Sequence, residues 1–109
     1  MIIDFNEIPV QQLDRFKDGE KFFLARMSGD PFCTILHGTL VPGASIGLHT
    51  HEESCEIMYF LHGNGRVLFD GGAETVAAGQ VHYCPKGHAH SLVNDGAEDL
   101  VFLGIIPKQ

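Results

Sequence analysis

The sequence predicts an all-β protein, an antiparallel barrel or jelly roll built from many short strands. Three observations support this prediction. Short apolar runs follow one another at close spacing, and turn residues such as Pro42-Gly43 end them. Glycine is frequent, with 13 residues in a chain of 109. No segment shows a convincing helical period, so we expect at most one turn of helix, near residues 10–16.

The predicted strands follow one another along the chain. The first clear strand covers residues 21–27 and ends at a Ser-Gly-Asp-Pro turn. A hairpin turn at Asp70-Gly71-Gly72 joins two later strands. Another strand carries His49, and the remaining predicted strands cover residues 32–41, 56–61, 66–69, 74–77, 81–84, 90–93 and 100–106.

Composition limits the domain organisation and the partners. A chain of 109 residues with 44% hydrophobic residues has enough apolar surface for one compact core, so we predict a single domain over residues 1–109. The formal net charge is -7, and the 7 basic residues are scattered along the chain. Nucleic acids and anionic membranes both bind positive patches, so we expect neither as a partner.

The first residues and the cysteines indicate a cytoplasmic protein. The beginning of the chain has neither the basic segment nor the apolar run of a signal peptide, and no apolar run is long enough to span a bilayer. The 3 cysteines are odd in number, and their spacing fits neither a zinc knuckle nor a redox pair. We therefore expect reduced thiols in the cytoplasm.

The histidines contain the strongest functional signal. His49 and His51 are two residues apart, so on a strand both imidazoles point to the same face. Glu56 can join them from the next segment, and a barrel can bring His90 opposite from another strand. Three imidazoles and one carboxylate form a mixed nitrogen and oxygen site that suits one divalent ion, namely Fe, Mn, Ni, Co, Zn or Cu.

The same ligands leave two types of site open. A closed tetrahedral zinc site would use all four positions. An octahedral ion would keep two positions for water, oxygen or a substrate. The hard carboxylate and the absence of thiolates among the candidate ligands favour the second type.

Two motifs resemble those of the cupin superfamily, here a small single-domain cupin. The first covers residues 43–63 and has fixed positions at Gly43, His49, His51, Glu56 and Gly63. The second covers residues 79–94 and has fixed positions at Gly79, Pro85, Gly87, His90 and Asn94. The resemblance implies a double-stranded β-helix (jelly-roll) barrel in which His49, His51, Glu56 and His90 are the metal ligands.

Several other side chains are candidates for the pocket. His88 is two residues before His90 and Tyr59 is close to Glu56, so we name both as candidate catalytic residues, with a solvent-facing turn as the alternative for His88. Met58 and Phe60 alternate with Glu56 and are expected to form an apolar cavity wall.

The remaining candidates are weaker. Cys84 could reach the pocket or pack in the core, and Glu52 and Glu53 could be alternative carboxylates or part of a solvated loop. Arg26, and after it Arg66, could point inward to bind an anionic substrate, although arginine is commonly exposed.

Two classes of function fit these residues. The first is a metal-dependent enzyme with dioxygenase, isomerase or lyase chemistry on a small organic molecule. The second is a non-catalytic module that binds or senses a small molecule. In either case we expect a homodimer, because small cupins commonly pair their sheets and the segment containing Ile2, Ile3 and Phe5 is apolar.

Overall fold

A computed structural model describes residues 1–109, and it consists of two antiparallel sheets. The predicted all-β class is confirmed. The ten strands are β1 (Gln11–Asp14), β2 (Phe22–Gly29), β3 (Cys33–Leu40), β4 (Ser45–Thr50), β5 (Glu56–His62), β6 (Asn64–Phe69), β7 (Gly72–Ala77), β8 (Val81–Cys84), β9 (Ala89–Val93) and β10 (Leu100–Pro107).

The strand order is that of a double-stranded β-helix. Six strands pair in the order β1-β2-β3-β10-β5-β8, and four pair in the order β4-β9-β6-β7. Several neighbouring strands come from distant parts of the chain, among them β3 with β10 and β4 with β9, as in a jelly roll. The two sheets do not join by hydrogen bonds into a closed barrel. No helix has the length and apolar character needed to cross a bilayer.

The core lies between the two sheets because the strands alternate buried and exposed side chains. The six-stranded sheet contributes Phe23, Phe60 and Phe102, and the rings of Phe23 and Phe102 stack with centroids 5.8 Å apart. The four-stranded sheet contributes Val67 and Leu92. Each burial of a large apolar side chain is worth about 1.5–3 kcal/mol, so this shared core is what holds the sheets together.

The region before β2 differs from the prediction. We expected a helical turn within residues 10–16, but Gln11–Asp14 is strand β1, which pairs antiparallel with β2. A single 3₁₀ turn follows at Phe16–Asp18, and another precedes β1 at Phe5–Glu7. The helical turn thus lies at the end of the expected range, and the residues before it form a strand. As a mostly exposed edge strand, β1 lacks the alternating apolar pattern that would predict it.

The turn at Phe16–Asp18 packs directly on β4. Lys17 has left-handed backbone angles (φ 56°, ψ 35°), a conformation that is uncommon for a residue with a side chain. A Cβ atom at Gly47 would lie 2.7 Å from the carbonyl carbon of Lys17 and 2.9 Å from the nitrogen of Gly19. Glycine at position 47 therefore allows the turn to approach the sheet at the edge of the site described next.

Candidate metal centre

The four candidate ligands come together where the two sheets face each other. His49 on β4 lies directly opposite His90 on β9, because these strands are neighbours in the four-stranded sheet. His51 follows the end of β4 by one residue and is largely buried. Glu56 begins β5 in the other sheet and is buried. The fold thus assembles ligands from both motifs.

The donor atoms of these residues converge on one point. Nε2 of His51 is 3.1 Å from Oε1 of Glu56, and Nε2 of His90 is 3.0 Å from the same oxygen. The two Nε2 atoms are 3.0 Å apart, and the His49 ring lies 4.7 Å from the His90 ring, centroid to centroid. One donor atom from each of the four residues lies within 4.8 Å of the others, so His49, His51, Glu56 and His90 can hold a metal ion.

Hydrogen bonds hold the far side of each imidazole. Nδ1 of His49 is 2.8 Å from the carbonyl oxygen of Gly47, and Nδ1 of His51 is 3.0 Å from Oγ of Ser54. Nδ1 of His90 is 3.0 Å from Nε2 of a further histidine, His82. With every Nδ1 engaged in this way, the Nε2 atoms are the ones available to an ion.

The electrostatics favour an ionised Glu56 carboxylate and a neutral His49 imidazole. Burial alone would raise the pKa of Glu56, but hydrogen bonds from His51 and His90 outweigh burial and lower it to about 2. Burial lowers the pKa of His49, and burial together with the nearby His90 lowers the pKa of His82 to about 4. A carboxylate anion and unprotonated imidazoles are the forms that bind metal ions.

A cavity of about 320 Å³ opens beside this cluster. Its walls are partly apolar, with Met58, Leu92 and Phe102 among them. The polar side chains that line it besides the four candidate ligands are Lys17, Thr34, Thr50, Glu52 and Ser54. A small anionic molecule would therefore find polar side chains to bind it and an apolar wall that excludes water.

The predicted cavity wall is correct for Met58 and wrong for Phe60. Both side chains are buried on the same face of β5 as Glu56, as the two-residue period predicts. Met58 lines the cavity, whereas Phe60 packs into the core against Phe102 at a centroid distance of 6.3 Å.

The two candidate catalytic residues lie outside the cavity. Tyr59 is three residues after Glu56, so the alternation of β5 turns its ring to the outer face, where it is 42% exposed. Nδ1 of His88 lies 2.9 Å from Oδ1 of Asp70, and this side chain is 43% exposed. His88 precedes β9 and follows Gly87, whose φ of +87° interrupts the strand alternation that would have placed it beside His90.

The two arginines point away from the centre as well. Arg26 donates from Nη1 to the carbonyl oxygen of Phe5 at 3.0 Å, which ties the N-terminal segment to the outer face of β2. Arg66 pairs with Asp95 at 3.5 Å on the surface. Neither arginine therefore lines the cavity, and the cation that does so is Lys17.

Among the weaker candidates, Glu52 lines the cavity and Cys84 is fully buried in the core. Burial, followed by the charges of Glu56 and Asp70, raises the pKa of Cys84 to about 11, so it is a thiol and not a ligand-like thiolate. Glu53 is exposed and does not line the cavity.

Sequence reasoning missed two residues of the site. His82 is buried against His90, and its spacing of two residues from Cys84 would have placed both on one face of a strand. Nothing in the sequence showed which sheet that face would meet. Lys17 had no signal at all, because its position depends on the left-handed turn that packs on β4.

Comparisons with known proteins agree with this architecture. A family model described as Cupin domain matches residues 36–106, which is more than half of the chain. The chain therefore belongs to the cupin family, as its two motifs predicted. The crystal structure of a predicted oxalate decarboxylase from Thermotoga maritima superposes with a TM-score of 0.94 and 29% identity, and the match covers 100% of both chains.

Two curated relatives share part of the sequence. The oxalate-binding protein of Thermotoga maritima is 46% identical over 68 residues, which is 62% of this chain and 55% of that protein. The oxalate decarboxylase OxdC of Bacillus subtilis is 40% identical over 72 residues, which is 62% of this chain and 19% of the decarboxylase. The match thus spans about half of the first relative and a fifth of the second.

Proposed function

We propose that this cupin binds a small carboxylate, of the size and charge of oxalate, on a divalent metal ion held by His49, His51, Glu56 and His90. The observation that carries this proposal is the convergence of the donor atoms beside a cavity that accepts a small molecule. The names of two relatives, an oxalate-binding protein and an oxalate decarboxylase, support the choice of ligand.

The residues around the cluster suit such a ligand. A bound divalent ion would supply Lewis acidity and a site for carboxylate oxygens. Lys17 adds a positive charge to the cavity lining, which favours a second carboxylate on the ligand. Met58 and Phe102 exclude water from one wall, and charge interactions are stronger where water is excluded.

Calorimetric titration of oxalate into the metal-loaded and the chelator-treated protein tests this proposal. We expect binding only with metal present, and loss of both metal and oxalate binding in His51→Ala. His62→Ala is the matched control, because His62 is an exposed histidine that pairs with Glu98 on the surface. The metal site would be contradicted if protein purified without a chelator contained no stoichiometric metal. It would also be contradicted if His90→Ala had the same metal content as the wild type.

We propose turnover of the ligand as a second candidate function, because Glu52 lines the same cavity and offers a carboxyl group for proton transfer. The corresponding lyase reaction converts hydrogen oxalate to carbon dioxide and formate, with the proton moved to carbon. Carbon-13 oxalate followed by NMR would show labelled formate with the wild type and much less with Glu52→Gln. Glu53→Gln is the control, since Glu53 does not line the cavity.

If no formate forms, two alternatives remain to be separated. Oxygen uptake by the iron-loaded protein with catechols or other organic substrates would indicate dioxygenase chemistry, and deuterium exchange beside a carbonyl would indicate isomerase chemistry. Ligand binding with none of these reactions would establish the non-catalytic module. We assign no proton-transfer role to His88 or Tyr59, because neither side chain lines the cavity.

We further propose that the chain forms a homodimer through the outer face of β5 and β8. Four large side chains are exposed on this face, with Val81 60% and Tyr83 52% exposed and Tyr59 and Leu61 beside them. Contiguous exposed apolar surface of this kind is typical of protein interfaces. Sedimentation at micromolar concentration should give a dimer for the wild type and a monomer for Val81→Glu. A dimeric Val81→Glu would contradict this interface, and Val10→Glu, at another exposed valine, is the control.

The cysteines support a reducing compartment such as the cytoplasm. Cys33, Cys55 and Cys84 are all free. Free thiols persist where the cell keeps cysteine reduced. We therefore propose a cytoplasmic location, and fractionation of cells expressing the tagged protein would test it.

A further inference from the structure

His82 is a buried histidine that lies directly behind one of the four ligands. It is 8% exposed and sits on β8 opposite Met58 of β5, so its side chain points between the sheets. Nε2 of His82 is 3.0 Å from Nδ1 of His90. The ring of Phe69 meets the His82 ring edge-on at a centroid distance of 5.3 Å, which limits how far that ring can turn.

The direction of this hydrogen bond follows from the role of His90. Nε2 of His90 faces Glu56 and His51, so a lone pair on that atom is what an ion would use. A neutral imidazole has one protonated nitrogen, and the proton of His90 must then be on Nδ1. With an ion on Nε2 of His90, its Nδ1–H would therefore donate to Nε2 of His82, and His82 would keep its own proton on Nδ1.

His82 gives His90 a different kind of support from that of the other two histidines. His49 is held by the backbone carbonyl of Gly47, and His51 by the hydroxyl of Ser54. The hydrogen-bond partner of His90 is the imidazole of His82. His82 also lines a separate, mostly polar cavity of about 340 Å³, together with Glu74 and Gln80. His82 thus lies between that cavity and the metal centre.

We propose that His82 is a positioning residue for the metal centre: it accepts the Nδ1–H of His90, fixes its tautomer and ring orientation, and so strengthens metal binding through Nε2. This inference depends on the metal site proposed above. Partners that hold the far nitrogen of a ligating histidine raise its basicity, and their removal typically weakens metal binding about 10- to 100-fold.

A metal ion bound by His82, Cys84 and His90 is the alternative that the test must distinguish from the positioning role of His82. The ligand atoms of His82, Cys84 and His90 also lie within 4.8 Å of one another. An ion among them would need the proton of the His90–His82 hydrogen bond removed. Cys84 would also have to become a thiolate, although its Sγ lies 3.6 Å from the carbonyl oxygen of His88, a contact that suits the S–H form. Two bound metal ions per chain, the second lost on Cys84→Ala, would overturn our assignment.

Two substitutions at one position test the positioning role. His82→Leu fills a similar volume without an acceptor, whereas the side-chain oxygen of His82→Gln can still accept from His90. Competition with a chromophoric chelator should show Co²⁺ binding weakened about 10- to 100-fold in His82→Leu and within about threefold of the wild type in His82→Gln. The melting temperature of each metal-free variant shows whether the fold is retained. The proposal would be overturned if His82→Leu and His82→Gln bound Co²⁺ with equal affinity, whether that affinity equalled the wild-type value or was much weaker.

A measurement on the wild type keeps the proposal testable if the variants do not fold. In the ¹⁵N-labelled zinc form, we expect the His90 proton on Nδ1, with a nitrogen–nitrogen coupling across the hydrogen bond to Nε2 of His82. A proton on Nε2 of His90, or no coupling to His82, would overturn the assignment. If the wild type holds no zinc, the proposed metal site itself fails. If the wild type binds zinc and His82→Leu binds metal with the same affinity, only the proposed role of His82 fails.

Discussion

Replacing Gly47 by alanine should disturb both the stability and the metal centre. The added Cβ would lie 2.7 Å from the carbonyl carbon of Lys17 and 2.9 Å from the nitrogen of Gly19, with the Lys17 carbonyl oxygen closer still. These neighbours are backbone atoms and cannot rotate away. Relief of the overlap requires the turn at Phe16–Asp18 to separate from β4.

The expected cost is about 2–3 kcal/mol of unfolding free energy, toward the upper end of what overpacking costs. Metal affinity should fall as well, since the carbonyl of Gly47 accepts the hydrogen bond from Nδ1 of His49. Urea denaturation followed by circular dichroism measures the first effect, and titration with Co²⁺ the second.

Gly72→Ala is the matched control, because the nearest atom to its added Cβ is the Phe69 carbonyl oxygen at 3.7 Å, in ordinary contact. This control should change stability by no more than about 0.5 kcal/mol. If Gly47→Ala unfolds at the same urea concentration as Gly72→Ala and binds Co²⁺ equally well, then the close packing of turn and strand does not support the site.

Three further predictions concern the core and the buried titratable groups. The metal-free protein should lose about 3 kcal/mol of stability as pH falls from 6.5 to 4, because the unfolded chain protonates His82 in this range while the folded pKa is about 4. Glu56 adds a further loss between pH 4.5 and 2, since its folded pKa is about 2. Thermal melts at several pH values check this, and a flat profile would contradict it. Iodoacetamide should modify Cys33 before Cys84, whose thiol is buried with a pKa of about 11, and mass spectrometry of the labelled peptides would reveal any reversed order. Phe60→Ala should cost about 3–5 kcal/mol in urea denaturation, and a loss below about 1 kcal/mol would mean that the two sheets do not share this core.

The sequence was most informative where local pattern decides the structure. Strand β8 was predicted with the bounds observed, because turn residues flank a run of alternating side chains. The shared direction of His49 and His51 followed from their spacing alone. The bounds of strand β1 could not be predicted, since only Leu13 of its residues is partly buried and its pairing with β2 is a tertiary contact.

The residues around the candidate metal centre were harder to predict, because their positions depend on which faces of the two sheets pack together. The odd spacing of Tyr59 from Glu56 places its side chain on the opposite face of β5, outside the cavity. His88 has the right spacing from His90, but the turn at Gly87 removes the strand geometry on which that spacing relies. Lys17 lines the cavity only because the turn at Phe16–Asp18 packs on β4, a tertiary contact that the local sequence does not predict.

The placement of the ligands on both sheets has a mechanical consequence. His49 and His90 belong to the four-stranded sheet and Glu56 to the six-stranded one. The Nε2 atoms of His51 and His90, which are 39 residues apart in the chain, lie 3.0 Å from each other. An ion bound there would be a cross-link between the two halves of an open sandwich, in the way that a disulfide ties two strands. Any motion that parts the sheets would then break coordination bonds, so that opening of the fold and release of the ion become one event.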